Sequence, residues 1–301
     1  MNSNETIISV EGLEHSYSNT KVLKGLNFTV EKGKIFGLFG RNGSGKTTTI
    51  NILMGFLTPS SGKCLIYNEP SDRLSSENKK KIGLLHEGHI SYDFMTINQS
   101  ENFYKGFYEN WDSKIFDYFI KKLGLPRDRK VKHMSCGQRS QVALAILMAQ
   151  GSETLILDDF SMGLDAGYRR LFLDHLNKFA RELNKTVLIT SHIVQDLEKF
   201  VDEAVIIDKG KVLVSAPLNH LKDGLYGYKL PIKDEVNKRI ESLKANDKIL
   251  DISLSSSSYE VISRVPNSEA SDFFKNANIV DNFEEYEISF EDAFIALTGK
   301  Y

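Results

Sequence analysis

Gly40-Arg41-Asn42-Gly43-Ser44-Gly45-Lys46-Thr47 follows the apolar run Ile35–Phe39 and opens a helical run from Lys46 to about Gly55. The pattern G-x-x-x-x-G-K-[ST] between a strand and a helix constrains this chain more than any other feature. Its glycines permit backbone angles that turn successive N–H groups inward, and they let a phosphate approach the main chain. The start of the helix adds unpaired donors and the positive end of a dipole. Lys46 is expected at the β- and γ-phosphates, and the Thr47 hydroxyl on a magnesium ion. Residues 40 to 47, with Thr48 beside them, are the candidate nucleotide-binding residues.

Further short apolar runs surround this loop in sequence: Ile82–Leu85, Leu155–Leu157, Val187–Ile189 and Ala204–Ile207. Such runs mark strands buried on both faces, and the helical stretches between several of them imply an α/β fold on a largely parallel sheet. Leu155-Ile156-Leu157 runs into Asp158-Asp159. A strand ending beside a phosphate loop brings its terminal carboxylates to the bound metal, so Asp158 is the candidate magnesium partner. Asp159 is the candidate catalytic base or orienter of an attacking water.

The segment from Thr96 to Gly124 is polar and aromatic, with amphipathic stretches Asn98–Tyr108 and Ser113–Leu123 and a stop at Gly124-Leu125-Pro126. It reads as a helical insertion standing off the sheet. Aromatic residues are dense from Tyr92 to Trp111, a pattern shared by a helical core and a docking groove. From about residue 216 the pattern changes. Strands are expected at Tyr228–Ile232, Ile249–Leu254 and Tyr259–Arg264, helices at Asp234–Ala245 and Ser268–Lys275, and a last strand near Ile279. That order describes a small α+β appendage of βαββαβ type, acidic in balance.

Composition narrows the function classes. The 301 residues are 41% hydrophobic and 26% charged, with 38 basic against 40 acidic side chains. The balance provides no basic field, so no nucleic-acid partner is expected. Cys64 and Cys136 are too few and too far apart for a disulfide framework, which suits a reducing, cytoplasmic setting. Met1 to Val10 lacks the features of a signal peptide, and the longest apolar run, Val142 to Ala149, is far short of a bilayer span. A membrane role is therefore expected only through a separate partner. No Cys/His cluster suggests zinc, and His15, His86, His89, His133, His175 and His220 read as structural.

Three more elements complete a recognisable order: Met134-Ser135-Cys136-Gly137-Gln138 before a helix at Arg139–Gln150, Ser161-Met162-Gly163-Leu164-Asp165, and Thr190-Ser191-His192 at a strand end. With the phosphate loop and the Asp158-Asp159 strand, the chain resembles the ATP-binding cassette (ABC) ATPases over about residues 5–215. The resemblance implies a phosphate-loop NTPase cassette over 1–215, its helical subdomain at about 88–150, and an accessory α+β domain over 216–301. It implies ATP and Mg2+ as cofactors and two cassettes pairing head to tail over two nucleotides. Ser135, Cys136, Gly137 and Gln138 would then face the γ-phosphate held by the opposite copy, and Asp165 would link the two sites. Tyr17 would stack on adenine. His192 would hold the γ-phosphate and the water, with Lys46 and Asp159 as its catalytic companions. Glu87 stands where the family usually has Gln, as a catalytic and magnesium-ligating candidate.

Besides Glu87, three positions depart from the family pattern. Asp159 replaces the usual Glu, Phe160 the usual Pro, and Cys136 a glycine. The shorter side chain withdraws the carboxylate by about a bond length, and a misplacement of ~1 Å can cost ~10²-fold in rate, so slow but real hydrolysis is expected. The ending Ile288–Gly299 resembles cassettes of bacterial drug, antibiotic and peptide exporters. The resemblance thus implies an ATP-hydrolysing exporter subunit on the inner face of the membrane, paired with a second copy or a homologous cassette and with a transmembrane permease. The alternatives are a soluble ABC ATPase acting on ribosomes or DNA, and a weakly hydrolytic ATP-binding switch.

Overall fold

A computed structural model describes residues 5–86, 88, 92–161, 163–195, 197–279 and 282–299. The chain divides into two compact units, Met1–Leu218 and Asn219–Tyr301. No helix among the described residues is long and apolar enough to cross a membrane.

In the first unit the strands are β1 Thr6–Tyr17, β2 Thr20–Glu31, β3 Ile35–Gly40, β4 Ser61–Ile66, β5 Glu69–Pro70, β6 Ile82–Leu85, β7 Thr154–Leu157, β8 Thr186–Ser191, β9 Glu203–Asp208 and β10 Lys211–Pro217. Its α-helices are α1 Lys46–Leu53, α2 Ser76–Lys80, α3 Ile97–Lys105, α4 Ser113–Leu123, α5 Cys136–Ala149 and α6 Ala166–Glu182. Six strands form one sheet in the order β10-β9-β3-β8-β7-β6, parallel except for β10 at its edge. Every residue of β3, β7 and β8 is buried, as expected of parallel strands covered on both faces. The register pairs Phe39 with Ser191 and Leu157 with Ile189. The loop after β3, the carboxylates after β7 and the histidine after β8 therefore emerge from the same edge.

A second, antiparallel sheet, β2-β1-β4-β5, was not foreseen from the sequence. Its register is interrupted between Val10 and Leu13, where Gly12 takes a φ of 57°, and this breaks the alternation that would betray a strand. Its buried Ile8, Val10, Leu13, Leu23 and Leu26 join Leu38, Ile50, Ile156, Leu188 and Val205 in one core, so α1 and the loop before it rest on both sheets.

The helical insertion follows from caps visible in the sequence. Thr96 and Gln99 form a capping box at the start of α3, Asp112 accepts the Lys114 and Ile115 N–H groups at the start of α4, and Gly124 ends α4 with a φ of 68°. Helix α5 begins three residues earlier than expected, because Ser135 caps it and Gln138 completes another capping box. Phe160, in place of the family's proline, is 1% exposed and stacks on Phe172 of α6 at 4.9 Å. It anchors the turn after β7 in the core.

The second unit contains β11 Tyr226–Pro231, α7 Asp234–Lys244, β12 Ile249–Leu254, β13 Ser258–Ser263, α8 Asn267–Asn276, β14 Glu284–Tyr286 and α9 Phe290–Thr298. Its antiparallel sheet runs β12-β13-β11-β14, the arrangement of a split βαβ unit. The last strand lies at Glu284–Tyr286 and not near Ile279. Ile279 instead donates its N–H to the Phe274 carbonyl and buries its side chain in the core of this unit. Tyr228 is fully buried there, its hydroxyl donating to the Val265 carbonyl at 2.7 Å.

Two stability predictions follow from these anchors. Phe160→Ala should lower the unfolding free energy by about 3–5 kcal/mol, the usual cost of emptying a core aromatic site. Urea unfolding measures it, and a loss under about 1 kcal/mol would contradict the anchoring role. Burial pushes the Tyr228 phenol from its ordinary 10.0 up to about 12. Folding thus favours the neutral phenol, and that contribution is complete below about pH 10 and disappears as pH climbs toward 12. Tyr228→Phe should cost about 1 kcal/mol at pH 7 and shrink the alkaline loss in that window, read from unfolding curves at both ends.

Candidate nucleotide site

The loop's shape depends on two glycines with no room for a side chain. A Cβ on Gly40 would stand 2.5 Å from both the Ile207 carbonyl oxygen and Ser44 Oγ. Gly45 has a φ of 109°, and a Cβ there would meet Leu23 Cδ2 at 2.4 Å. Lys46, 6% exposed, donates from Nζ to the carbonyls of Gly40 at 2.8 Å and Arg41 at 3.1 Å, which holds the ammonium inside the loop. Thr47 begins the exposed side of α1, and its hydroxyl donates to Asp158 Oδ1 at 3.3 Å.

The two carboxylates after β7 are held differently. Asp158 is 1% exposed; its Oδ1 accepts from Thr190 at 2.8 Å as well as from Thr47, while its Oδ2 is buried with no hydrogen-bond partner. A buried, unpaired carboxylate oxygen is costly, and a divalent cation with oxygen ligands would satisfy it. The pair Thr47–Asp158 therefore fits magnesium. Asp159 is 7% exposed and has a φ of 35°, a conformation that aspartate tolerates better than most residues. Four partners fix it there: its N–H donates to Thr190 Oγ1 at 2.9 Å, Oδ1 accepts from Ser161 at 3.1 Å, and Oδ2 lies 2.8 Å from His192 Nδ1. The fourth is Phe160, whose ring is sunk in the core immediately after it. The Asp159 contact engages Nδ1 of His192 and leaves Nε2 outside it.

These groups frame a cavity of about 380 Å³ lined by Tyr17, Val22, Asn42, Gly43, Gly45, Lys46, Thr47, Thr48 and Asp159. Tyr17 is 46% exposed at one wall, and its hydroxyl is 3.5 Å from Thr48 Oγ1. The expected loop residues, Tyr17, Asp158, Asp159 and His192 thus come together. Thr190 and Ser161 do as much to position the carboxylates as any residue anticipated. The first was visible only as part of the Thr190-Ser191-His192 run, where attention falls on the histidine.

The signature segment is not among the residues that line this cavity. Ser135 Oγ accepts the Gln138 N–H at 3.2 Å, and the Ser135 N–H donates to Gln138 Oε1 at 3.0 Å, so both residues cap α5. Gly137 faces Tyr168, whose ring leaves 2.3 Å for a Cβ. Cys136 is half-buried, its Sγ 3.1 Å from where a Cβ on Gly163 would be. Asp165 caps α6, accepting the Tyr168 N–H at 2.9 Å. Glu87 lies outside the described residues, as does Met162.

A family model described as ABC transporter matches residues 23–161. The bacitracin transport ATP-binding protein BcrA of Bacillus licheniformis is 32% identical over 219 residues, 72% of each chain. The Nod factor export ATP-binding protein I of Ralstonia nicotianae is 29% identical over 220 residues, 71% of this chain and 68% of its own. Among solved structures, cbiO1 of Clostridium perfringens, described as part of the ABC transporter complex cbiONQ, is 26% identical with a TM-score of 0.62, covering 72% of this chain and 90% of its own. The motif order, the cassette fold and these likenesses lead to one conclusion: the chain belongs to the ATP-binding subunits of ABC transporters, an ATP-hydrolysing family.

Proposed function

We propose that this chain is the engine of a bacterial exporter: two cassettes close over Mg-ATP, hydrolyse it, and drive a separate transmembrane permease from the inner face of the membrane. One observation carries the two-copy reading. The cavity has a phosphate loop, an aromatic wall and a carboxylate–histidine pair, yet the signature residues Ser135 to Gln138 do not line it. A second copy, or a homologous cassette, supplies that missing wall, presenting the N-terminus of its α5 and the Ser135 hydroxyl to the γ-phosphate. Nucleotide then contacts both cassettes only in the closed form, so ATP shifts the population toward closure. Asp165, at the cap of α6, connects the two sites.

Within the site, the loop amides and Lys46 hold the triphosphate charge, and Tyr17 stacks on the base. Thr47 and Asp158 would hold magnesium, which would supply positive charge against the negative charge of the phosphates. Asp159 and His192 act as a pair that orients the attacking water, with the Asp159 carboxylate as the base and the imidazole held against it through Nδ1. Glu87, outside the described residues, is a further candidate for holding magnesium. Because Asp159 is one methylene shorter than the family's Glu and both its oxygens are engaged, hydrolysis is slow. The export of a drug, antibiotic or peptide is supported by the segment Ile288–Gly299, by the bacitracin transport relative and by the Nod factor exporter. The aromatic cavity of about 140 Å³ between Tyr92, Tyr104, Tyr108 and α5 is the docking face offered to the permease.

Steady-state ATPase assays test the chemistry. Asp159→Asn should lower kcat by ~10²-fold or more with little change in KM, and Asp159→Glu should raise it, by up to ~10²-fold. A rate in Asp159→Glu at or below that of the natural chain would contradict the short-carboxylate account. The class is tested separately by purifying the tagged chain from detergent-solubilised native membranes. An integral-membrane subunit should accompany it, and recovery with ribosomes or duplex DNA would overturn the exporter reading.

A further inference from the structure

Tyr17 stands at the tip of a hairpin, paired with Thr20 across a turn in which Ser18 has a φ of 50°. The ring is nearly half exposed, and its hydroxyl reaches Thr48 only at 3.5 Å, the outer limit of a hydrogen bond. A platform held by these contacts alone would swing. The contact that fixes its plane comes from two residues earlier on the same strand face: the His15 and Tyr17 rings meet edge to face, with centroids 4.7 Å apart and planes at 82°.

We propose that His15 is the positioning residue for base recognition, holding the Tyr17 ring at the angle on which adenine stacks; the inference rests on the reading of Tyr17 as the adenine platform. Its burial and bonding define how it acts. His15 is 8% exposed, and its Nδ1 is buried with no hydrogen-bond partner. The ring therefore neither reaches the nucleotide nor serves as a polar anchor there. It works as an aromatic ring set nearly perpendicular to that of Tyr17, the geometry that the ring quadrupoles favour. Phenylalanine could do the same. An aliphatic side chain of similar bulk would fill the space without that directional contact.

Calorimetric binding to the full chain tests this with two probes, ATP and inorganic tripolyphosphate, which carries the phosphates without a base. His15→Leu should weaken ATP about three- to tenfold, the range for loss of one edge-to-face contact, and leave tripolyphosphate unchanged. His15→Phe should bind ATP within about twofold of the natural chain, since only the ring matters. Tyr17→Ala should weaken ATP at least as much as His15→Leu, again sparing tripolyphosphate. If Tyr17→Ala weakens ATP while His15→Leu does not, the positioning role fails and the platform stands. Equal weakening of both probes in His15→Leu would make His15 a structural residue and overturn the inference. Unchanged ATP binding in Tyr17→Ala would sink the platform itself.

Discussion

Parallel pairing of three central strands is the constraint on which the rest depends. Because β7, β8 and β3 run the same way and lie in order, the chain leaves all of them at one edge of the sheet. A phosphate loop, two carboxylates and a histidine, separated by more than 100 residues in sequence, become neighbours without any long-range polar contact having to find its partner. The polar contacts then refine what the register has set. Thr190, the penultimate residue of β8, is the clearest case: one hydroxyl donates to Asp158 and accepts from the amide of Asp159. It ties the two carboxylate residues to each other.

The groups proposed to meet the nucleotide of a second cassette already have local work. Ser135 and Gln138 cap one helix, Asp165 caps another, and Gly137 yields its space to Tyr168. A residue that caps a helix is held rigidly and sits beside the free N–H groups of the first turn, which is where an anion binds. The anion contact proposed for the signature would therefore use groups that the fold already holds. The same economy holds at Asp159, whose left-handed backbone is kept in place by Ser161, His192, Thr190 and the buried Phe160 ring. Strain of this kind persists only where the surroundings over-determine it.

Much of this was legible in the sequence, for physical reasons. Strands buried on both faces declare themselves as short apolar runs, and Ile82–Leu85 matches its observed bounds, as does the half-buried strand Ile249–Leu254. Helix α4 matches the expected run Ser113–Leu123, ended by Gly124. The antiparallel sheet was missed because the bulge at Gly12 scrambles the period of β1. Helix α5 was begun late because Ser135 and Gln138 were read for nucleotide binding and not for capping. The final strand was misplaced at Ile279 because an isolated buried isoleucine after a helix looks the same in sequence whether it pairs or merely packs. Among the site residues, those in motifs were foreseen. The edge-to-face contact of His15 was not, since a lone histidine in a strand carries no local signal of its neighbour's ring.

The account stands or falls on a nucleotide shared between two cassettes. Light scattering on the full-length Asp159→Asn chain with saturating Mg-ATP measures that directly, with binding followed in the same sample. The expected result is twice the mass of one chain, returning to a single chain when ATP is replaced by ADP. A chain that binds ATP and keeps the mass of one copy, even with the permease present, would contradict it.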